Sequence, residues 1–281
     1  MNHYKKRRCK MKIKDSYSFK ITVLGTGATG SNFVSMLTQI YSNFIEEIES
    51  VLLIDGDKFE EKNLRNQKCL LSDVNINKAK VLCERYKRVY PNLKLSYYDK
   101  YIKSSKDFKE ILSNRKFLNE LDYTNNRVIN LIIGTVDNDK TRTIIDNAIK
   151  DFKKDKVEYI YIDSGNDTDN MSGQVYLNYH LEKYSINVDS LEDNEKIKNF
   201  FSNKLLTEIY PDILESKDED IEKLIGCSVE VNEKPQLLPT NLMAANLITQ
   251  LFYKVVINKE IPKQHLFVFD AKNLSSTFVK T

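Results

Sequence analysis

The sequence concentrates its chemistry in four short stretches. The first is Gly25-Thr26-Gly27-Ala28-Thr29-Gly30, behind the apolar run KITVL at 20–24 and ahead of a helical pattern. In such a turn Gly25 permits the tight bend, Gly27 lets backbone approach a phosphate, and Gly30 allows close packing of helix on strand. The helix that follows offers unpaired N–H groups to an anion. The second stretch, IDGDKFEEKNLRNQ, ends a strand on Asp55 and crowds Asp57, Glu60, Asn63, Arg65 and Gln67 into one loop. An acid at the end of a second strand suits a ribose hydroxyl. Lys78 opens the next helix, and Asp137-Asn138 follow the apolar run VINLII. In a parallel sheet all four stretches meet at the carboxyl edge, where ligands bind. Arg and Lys there neutralise a triphosphate, and an Asp beside it can hold Mg²⁺.

The elements that must position these residues alternate. Strands are expected at 20–24, 51–54, 93–98, 128–133 and 158–163, and helices at 31–48, 73–90, 103–121 and 139–152. Ala79, Leu82, Cys83, Tyr86 and Val89 recur at helical spacing, with Cys83 as core filling. The alternation implies an α/β fold, a Rossmann-like and mostly parallel sheet with helices on both faces. From about residue 174 the pattern changes. QVYLNYH at 174–180 reads as a strand, and residues 183–225 as an acidic insertion, helical in pieces. A buried helix is expected at 240–257, and HLFVFD (265–270) and STFVK (276–280) as edge strands, giving a mixed or antiparallel C-terminal part.

The 281 residues carry 43 Lys and Arg against 40 Asp and Glu, a formal charge of +3. Residues 1–14 hold seven of the bases and no acid, which leaves 36 bases to 40 acids in the body. Residues 189–223 hold eleven acids and five bases. The body has no basic stripe, which argues against a nucleic-acid module, and the basic end reads as a solvated tail. No apolar run reaches the ~18 residues of a membrane span, and no apolar h-region follows the N-terminal charges. A cytoplasmic protein is expected. Cys9, Cys69, Cys83 and Cys227 form no CxxC pair, so no zinc is expected. His3, His180 and His265 stand in unrelated contexts, the last two read as strand residues.

In order, the motifs GTGATG, IDGDKFEEKNLRNQ, DVNINKAK, GTVDNDKTR and IDSGNDTDNMSGQVYL resemble the ThiF/HesA/MoeB family, the bacterial relatives of ubiquitin-activating enzymes. The later stretch GCSVEVNEKPQLLPTNLMAAN is similar to ThiF-like proteins of plasmids and phages. The resemblance implies a basic N-terminal segment at 1–18 and one adenylation domain at 19–281 that carries the insertion 183–225. It implies adenylation of a C-terminal carboxylate, that of a ubiquitin-like or sulfur-carrier protein, with ATP and Mg²⁺, in a homodimer. Asp55 would bind ribose, with Gly25, Gly27, Ala28 and Gly30 beneath the nucleotide and Asp57 and Asn138 beside it. Asn63, Arg65, Asn66 and Gln67 would approach the phosphates. Lys78 would stabilise charge on the α-phosphate, and Asp137 would ligate Mg²⁺, so Arg65, Lys78 and Asp137 carry the catalysis.

Where the family reads Asn-Leu-x-Arg-Gln, this chain reads Asn63-Leu64-Arg65-Asn66-Gln67, with Asn66 at the usual arginine position. A catalytically inactive scaffold that binds a ubiquitin-like partner therefore stands as an alternative. An NAD-dependent oxidoreductase is another, which leaves Asn63, Arg65, Lys78 and Asp137 idle. The family also has members acting on modified tRNA, a class that the basic tail keeps open. Cys227, in Gly226-Cys227-Ser228 ahead of Gln236 and Asn241, is either a half-buried structural thiol or a catalytic nucleophile that takes the acyl group as a thioester.

Overall fold

The computed structural model describes residues 11–113, 127–167, 170–188, 204–215 and 237–279. Its first half is a strand–helix alternation: β2 (Tyr17–Leu24), α1 (Ala28–Asn43), β3 (Ile48–Ile54), α2 (Lys78–Val89), β4 (Leu95–Tyr98), α3 (Ser105–Ser113), β5 (Arg127–Gly134), α4 (Asp139–Lys154) and β6 (Tyr159–Asn166). Strands β7 (Ser172–His180), β10 (Leu266–Asp270) and β11 (Ser275–Val279) complete the main sheet. Its order is β4-β3-β2-β5-β6-β7-β10-β11, parallel from β4 to β6 and antiparallel beyond.

Side chains alternate between the faces of this sheet, as the period of two requires. Val51, Leu53, Leu131 and Ile133 point into a core with Phe33, Leu37 and Tyr41 of α1, Leu82 and Cys83 of α2, and Ile248 and Phe252 of a late helix, α7 (Leu238–Phe252). Leu52, Ile54 and Ile132 point the other way, onto Phe108 of α3 and Ile145 and Ile149 of α4. The chain steps outward from β2 through β3 to β4, then returns to β5 on the opposite side of β2. That reversal opens a crevice at the carboxyl ends of β2 and β5, the switch point where open α/β sheets bind ligands.

Several boundaries differ from expectation. α1 starts at Ala28 instead of residue 31, because Gly27 serves as its N-cap and Gly30 lies inside the first turn. α2 starts at Lys78 instead of 73, capped by Asn77, whose side chain accepts from the Lys80 N–H. The 103–121 helix is described only as Ser105–Ser113, its remainder lying outside the described residues. HLFVFD is no edge: β10 is paired on both sides, to β7 and β11. The 240–257 helix is α-helical to Phe252 and turns π-helical over Tyr253–Ile257.

A second, three-stranded antiparallel sheet was not legible at all. It joins β1 (Met11–Ile13) to β8 (Ile186–Val188) on one side and β9 (Glu260–Ile261) on the other. Met11 and Ile13 are buried, so this part of the basic segment is structure and not solvated tail. Within the acidic insertion two short helices, α5 (Leu206–Ile209) and α6 (Asp212–Glu215), pack on α4. Asp146 of α4 accepts the Thr207 N–H at 2.7 Å, and Leu205 and Leu206 are buried.

His265, just ahead of β10, places Nδ1 3.2 Å from the Leu177 carbonyl and its ring 5.7 Å from that of Tyr179. Burial lowers its pKa from the ordinary 6.5, with the carbonyl contact opposing. The folded state therefore resists protonating it, and its contribution to stability is lost as pH falls from 6.5 through the lower folded value. Melting temperature should fall as pH drops below 6.5, and His265→Gln should flatten that slope in a calorimetric pH series.

Candidate functional site

The glycine turn behaves as its spacing predicts. Gly25 has φ +84°, and a Cβ there would lie 2.7 Å from the Thr135 carbonyl oxygen. A Cβ on Gly30 would lie 2.0 Å from the Gly25 carbonyl, while one on Gly27 would meet nothing within 4 Å. Thr135 fastens the turn to β5, donating its hydroxyl to the Gly25 carbonyl at 2.6 Å. The result is a rigid cradle, open above Gly27, with the first N–H groups of α1 unpaired beside it. That opening suits a phosphate group.

Asp55, at the end of β3, is 9% exposed. One carboxylate oxygen accepts the Thr26 N–H at 2.6 Å and the Thr26 hydroxyl at 2.9 Å, and the other accepts the Asp57 N–H at 2.9 Å. Asp55 thus ties the glycine turn to the following loop. Asn77 braces the same loop from below, donating Nδ2 to the Asp55 and Asp57 carbonyls at 2.7 and 3.0 Å. As the cap of α2 it also fixes Lys78, whose Nζ reaches Asp57 at 3.0 Å. Tyr101 donates its hydroxyl to the other Asp57 oxygen and lays its ring where a Cβ on Gly56 would sit.

Charge in this cluster is strongly coupled. Burial raises the Asp55 pKa, and Lys78 works against that rise. Burial also opposes ionisation of Asp57, but Lys78 and the Tyr101 hydroxyl outweigh it and hold this carboxyl below the usual range. Lys78 is 9% exposed, and burial favours its neutral form; Asp55, Asp57 and Asp137 reverse that, so its pKa is raised and it is an ammonium at neutral pH. Three acids surround one cation. A polyphosphate would enter this field more readily with a divalent cation than alone.

The remaining candidates divide. Asp137 stands exposed on the rim, within the field of Lys78, and Asn138 spends its side-chain oxygen capping α4 through the Thr141 N–H at 2.8 Å. Asn63 is buried and accepts the Glu60 N–H at 2.9 Å, shaping the turn Glu61–Arg65. Arg65 is exposed and Asn66 half-buried. Gln67 holds a buried Oε1 without a hydrogen-bond partner among the described residues. Its neighbour Lys68 donates its N–H to the Ser31 hydroxyl at 3.0 Å, which brings this loop against α1. Cys227 lies outside the described residues. Among the described residues no group of three His, Cys, Asp or Glu could hold a metal ion, so a cation here would need oxygens from the nucleotide.

A sequence profile of the ThiF family matches residues 7–281. The chain belongs to the ThiF family. Its fold is similar to that of E. coli MccB solved with AMPCPP and MccA, at TM-score 0.55 and 17% identity over 92% of this chain and 63% of that one. E. coli MccB with ATP gives TM-score 0.54 at 17% identity, over 92% and 62% of the two chains. PaaA gives TM-score 0.53 at 14% identity, over 94% and 64%. This chain thus spans less than two thirds of the length of those structures. No curated protein sequence matches it.

In this ThiF-family chain the sequence motifs overlooked four contributors: Thr26, Asn77, Tyr101 and Arg142. None stands in a spacing that signals its contact, although Arg142 closes the motif GTVDNDKTR. It ion-pairs with Asp163 at 3.3 Å and Asp139 at 3.0 Å and donates to the Val136 and Ser164 carbonyls. It therefore holds the loop that presents Asp137. Arg142→Lys keeps the charge but loses the planar fork, and should cost about 1–2 kcal/mol of stability. In a thermal melt that is a fall of about 3–6 °C.

Proposed function

We propose that this chain is an ATP-dependent adenylyltransferase acting on the C-terminal carboxylate of a ubiquitin-like or sulfur-carrier protein, or of a peptide. One observation carries the reading: a buried Lys78 ammonium set among Asp55, Asp57 and Asp137, beside an open phosphate cradle at Gly27. A carboxylate oxygen attacks the α-phosphorus, the α–β anhydride bond breaks, and pyrophosphate leaves with the displaced electron pair. The product is an acyl-adenylate, and no proton need move.

The residues fall into roles around that step. Gly25, Gly27, Ala28 and Gly30 seat the phosphates against the start of α1, and Asp55 takes the ribose. Lys78 swings from Asp57 to the α-phosphate and offsets the charge that develops there. Asn63, with its Oδ1 spent on the turn, offers Nδ2, and Arg65 reaches the β- and γ-phosphates from its exposed position. Mg²⁺, held by Asp137 and the phosphates, would screen the triphosphate from the surrounding acids. MccB has been solved with ATP and with MccA, which supports a nucleotide and a peptide or carrier partner for the present chain.

A second step is available to Cys227. Its thiolate would attack the acyl carbonyl, form a thioester and release AMP, with the thiol proton lost to solvent. The active form is read as a homodimer working in the cytoplasm, where thiols stay reduced. Among the described residues no helix is long and apolar enough to cross a membrane.

Thermal unfolding tests the nucleotide. Mg²⁺·ATP at ~100 times its Kd should add ~2.7 kcal/mol, a rise of several degrees. ATP with a chelator should give less. A shift with NAD⁺ alone would replace adenylation by hydride transfer, and no shift with either nucleotide would favour the scaffold. Pyrophosphate exchange with candidate carrier proteins then tests the chemistry.

A further inference from the structure

Helices α1 and α7 lie side by side and both begin at the carboxyl edge of the sheet. Phe33 meets Phe252 edge to face at 5.9 Å, and the Thr249 hydroxyl lies 3.6 Å from the Met36 sulfur. At the starts of the two helices three polar side chains interlock. The Thr29 hydroxyl donates to Asn241 Oδ1 at 3.1 Å, and Asn166 Nδ2, from the end of β6, lies 2.9 Å from both Asn241 Oδ1 and Thr29 Oγ1. Asn241 is fully buried, yet among the described residues its Nδ2 has no hydrogen-bond partner. Buried donors are almost always satisfied, because an unmade hydrogen bond forfeits the water it displaced.

This arrangement fixes the amide. Asn241 Oδ1 is held by two donors, so its Nδ2 must face away from them, and turning the amide would set Nδ2 against the Asn166 donor. Thr29 stands two residues beyond Gly27, so the Asn241 amide lies at the first turn of α1, next to the phosphate cradle and on its β6 side. Two helix starts add positive potential to the same spot. An anion or a carbonyl oxygen is the group such a place would hold.

Resting on the adenylation reading, we propose that Asn241 Nδ2 hydrogen-bonds the carboxylate oxygen that does not attack, and then the acyl carbonyl of the adenylate. Asn241 thereby recognises the acyl end of the substrate, with Thr29 and Asn166 setting its amide. The ligand class is a chain-terminal carboxylate delivered between the first turns of α1 and α7.

The full chain can be titrated calorimetrically with two unreactive probes, sulfamoyl adenosine and the same compound acylated with acetylglycine. The acylated probe should bind wild type about tenfold or more tighter, the worth of one well-placed hydrogen bond. Asn241→Asp keeps the acceptor for Thr29 and Asn166 but removes the donor, and should abolish that ratio with sulfamoyl adenosine affinity unchanged. Asn166→Asp should abolish it too, because the new carboxylate draws Asn241 Nδ2 to itself; this variant decides the matter if Asn241→Asp does not fold. A folded variant that keeps the tenfold ratio overturns the proposal. So does a variant that loses affinity for both probes equally, since Asn241 would then serve the nucleotide. Failure of wild type to bind either probe or ATP would instead overturn the adenylation reading, and this inference with it.

Discussion

Lys78→Ala should reduce pyrophosphate exchange by about 10²–10³ while leaving the protein folded, the loss seen when a preorganised charge partner is removed from a reacting centre. The ammonium is held within 3.0 Å of Asp57 by a helix start whose cap, Asn77, also clamps the loop beneath it. Removing it leaves Asp55 and Asp57 without their counter-ion. The Asp57 side chain is 47% exposed, so water screens much of that repulsion and the cost to stability should stay near 1 kcal/mol. Activity and stability therefore separate: a far-UV melt should move by a few degrees while exchange all but disappears. Lys78→Arg keeps the charge on a longer, planar head and should restore only part of the rate. Unchanged exchange in Lys78→Ala would remove Lys78 from the chemistry and return the cluster to a structural role.

Two glycines three residues apart should give opposite results when changed to alanine. Gly30→Ala drives a methyl group to 2.0 Å from the Gly25 carbonyl oxygen and 2.6 Å from the Thr135 hydroxyl oxygen. The backbone oxygen cannot yield without moving the turn that Thr135 and Asp55 fasten, so a loss of at least ~3 kcal/mol is expected. Gly27→Ala places its methyl in open space and should melt close to wild type. That space is the proposed phosphate cradle, so the rise in melting temperature with Mg²⁺·ATP should vanish in Gly27→Ala. A normal ATP shift in that variant would mean that the nucleotide does not sit over Gly27.

The parts of the fold that could be read from sequence are those where local pattern and global burial agree. β5 and β6 show as mostly apolar runs at 128–133 and 159–162 because helices cover both of their faces. The main sheet's parallel half, and the convergence of Asp55, Lys78 and Asp137 at its edge, followed from that alternation. The small sheet did not, because β1, β8 and β9 are two or three residues long and sit in charged or polar surroundings. Pairing of Met11 with Val188 and Ile261 is a long-range fact with no local signature. The start of α1 was placed late because glycine is a poor helix former, and only tertiary packing recruits Gly30 into the first turn. The charged residues that the fold brings together at the candidate site were legible, whereas those that hold them were not. Tyr101 reaches Asp57 from the segment after β4, and nothing in its neighbours marks it.

Met11–Ile13, the first strand, has a consequence for how the chain is made. Among the described residues it pairs with 186–188 and 260–261, so on the ribosome its sheet is complete only once residue 261 has been synthesised. At usual elongation rates of ~5–20 residues per second that wait is on the order of ten seconds or more. Meanwhile β2 to β6 can assemble with the glycine turn already in place. The nascent protein thus builds the half that carries the glycine turn, Asp55 and Lys78 before Asn241 emerges beside Thr29. Only then does Met11–Ile13 complete the small sheet, as a clasp fastened after the contents are in order.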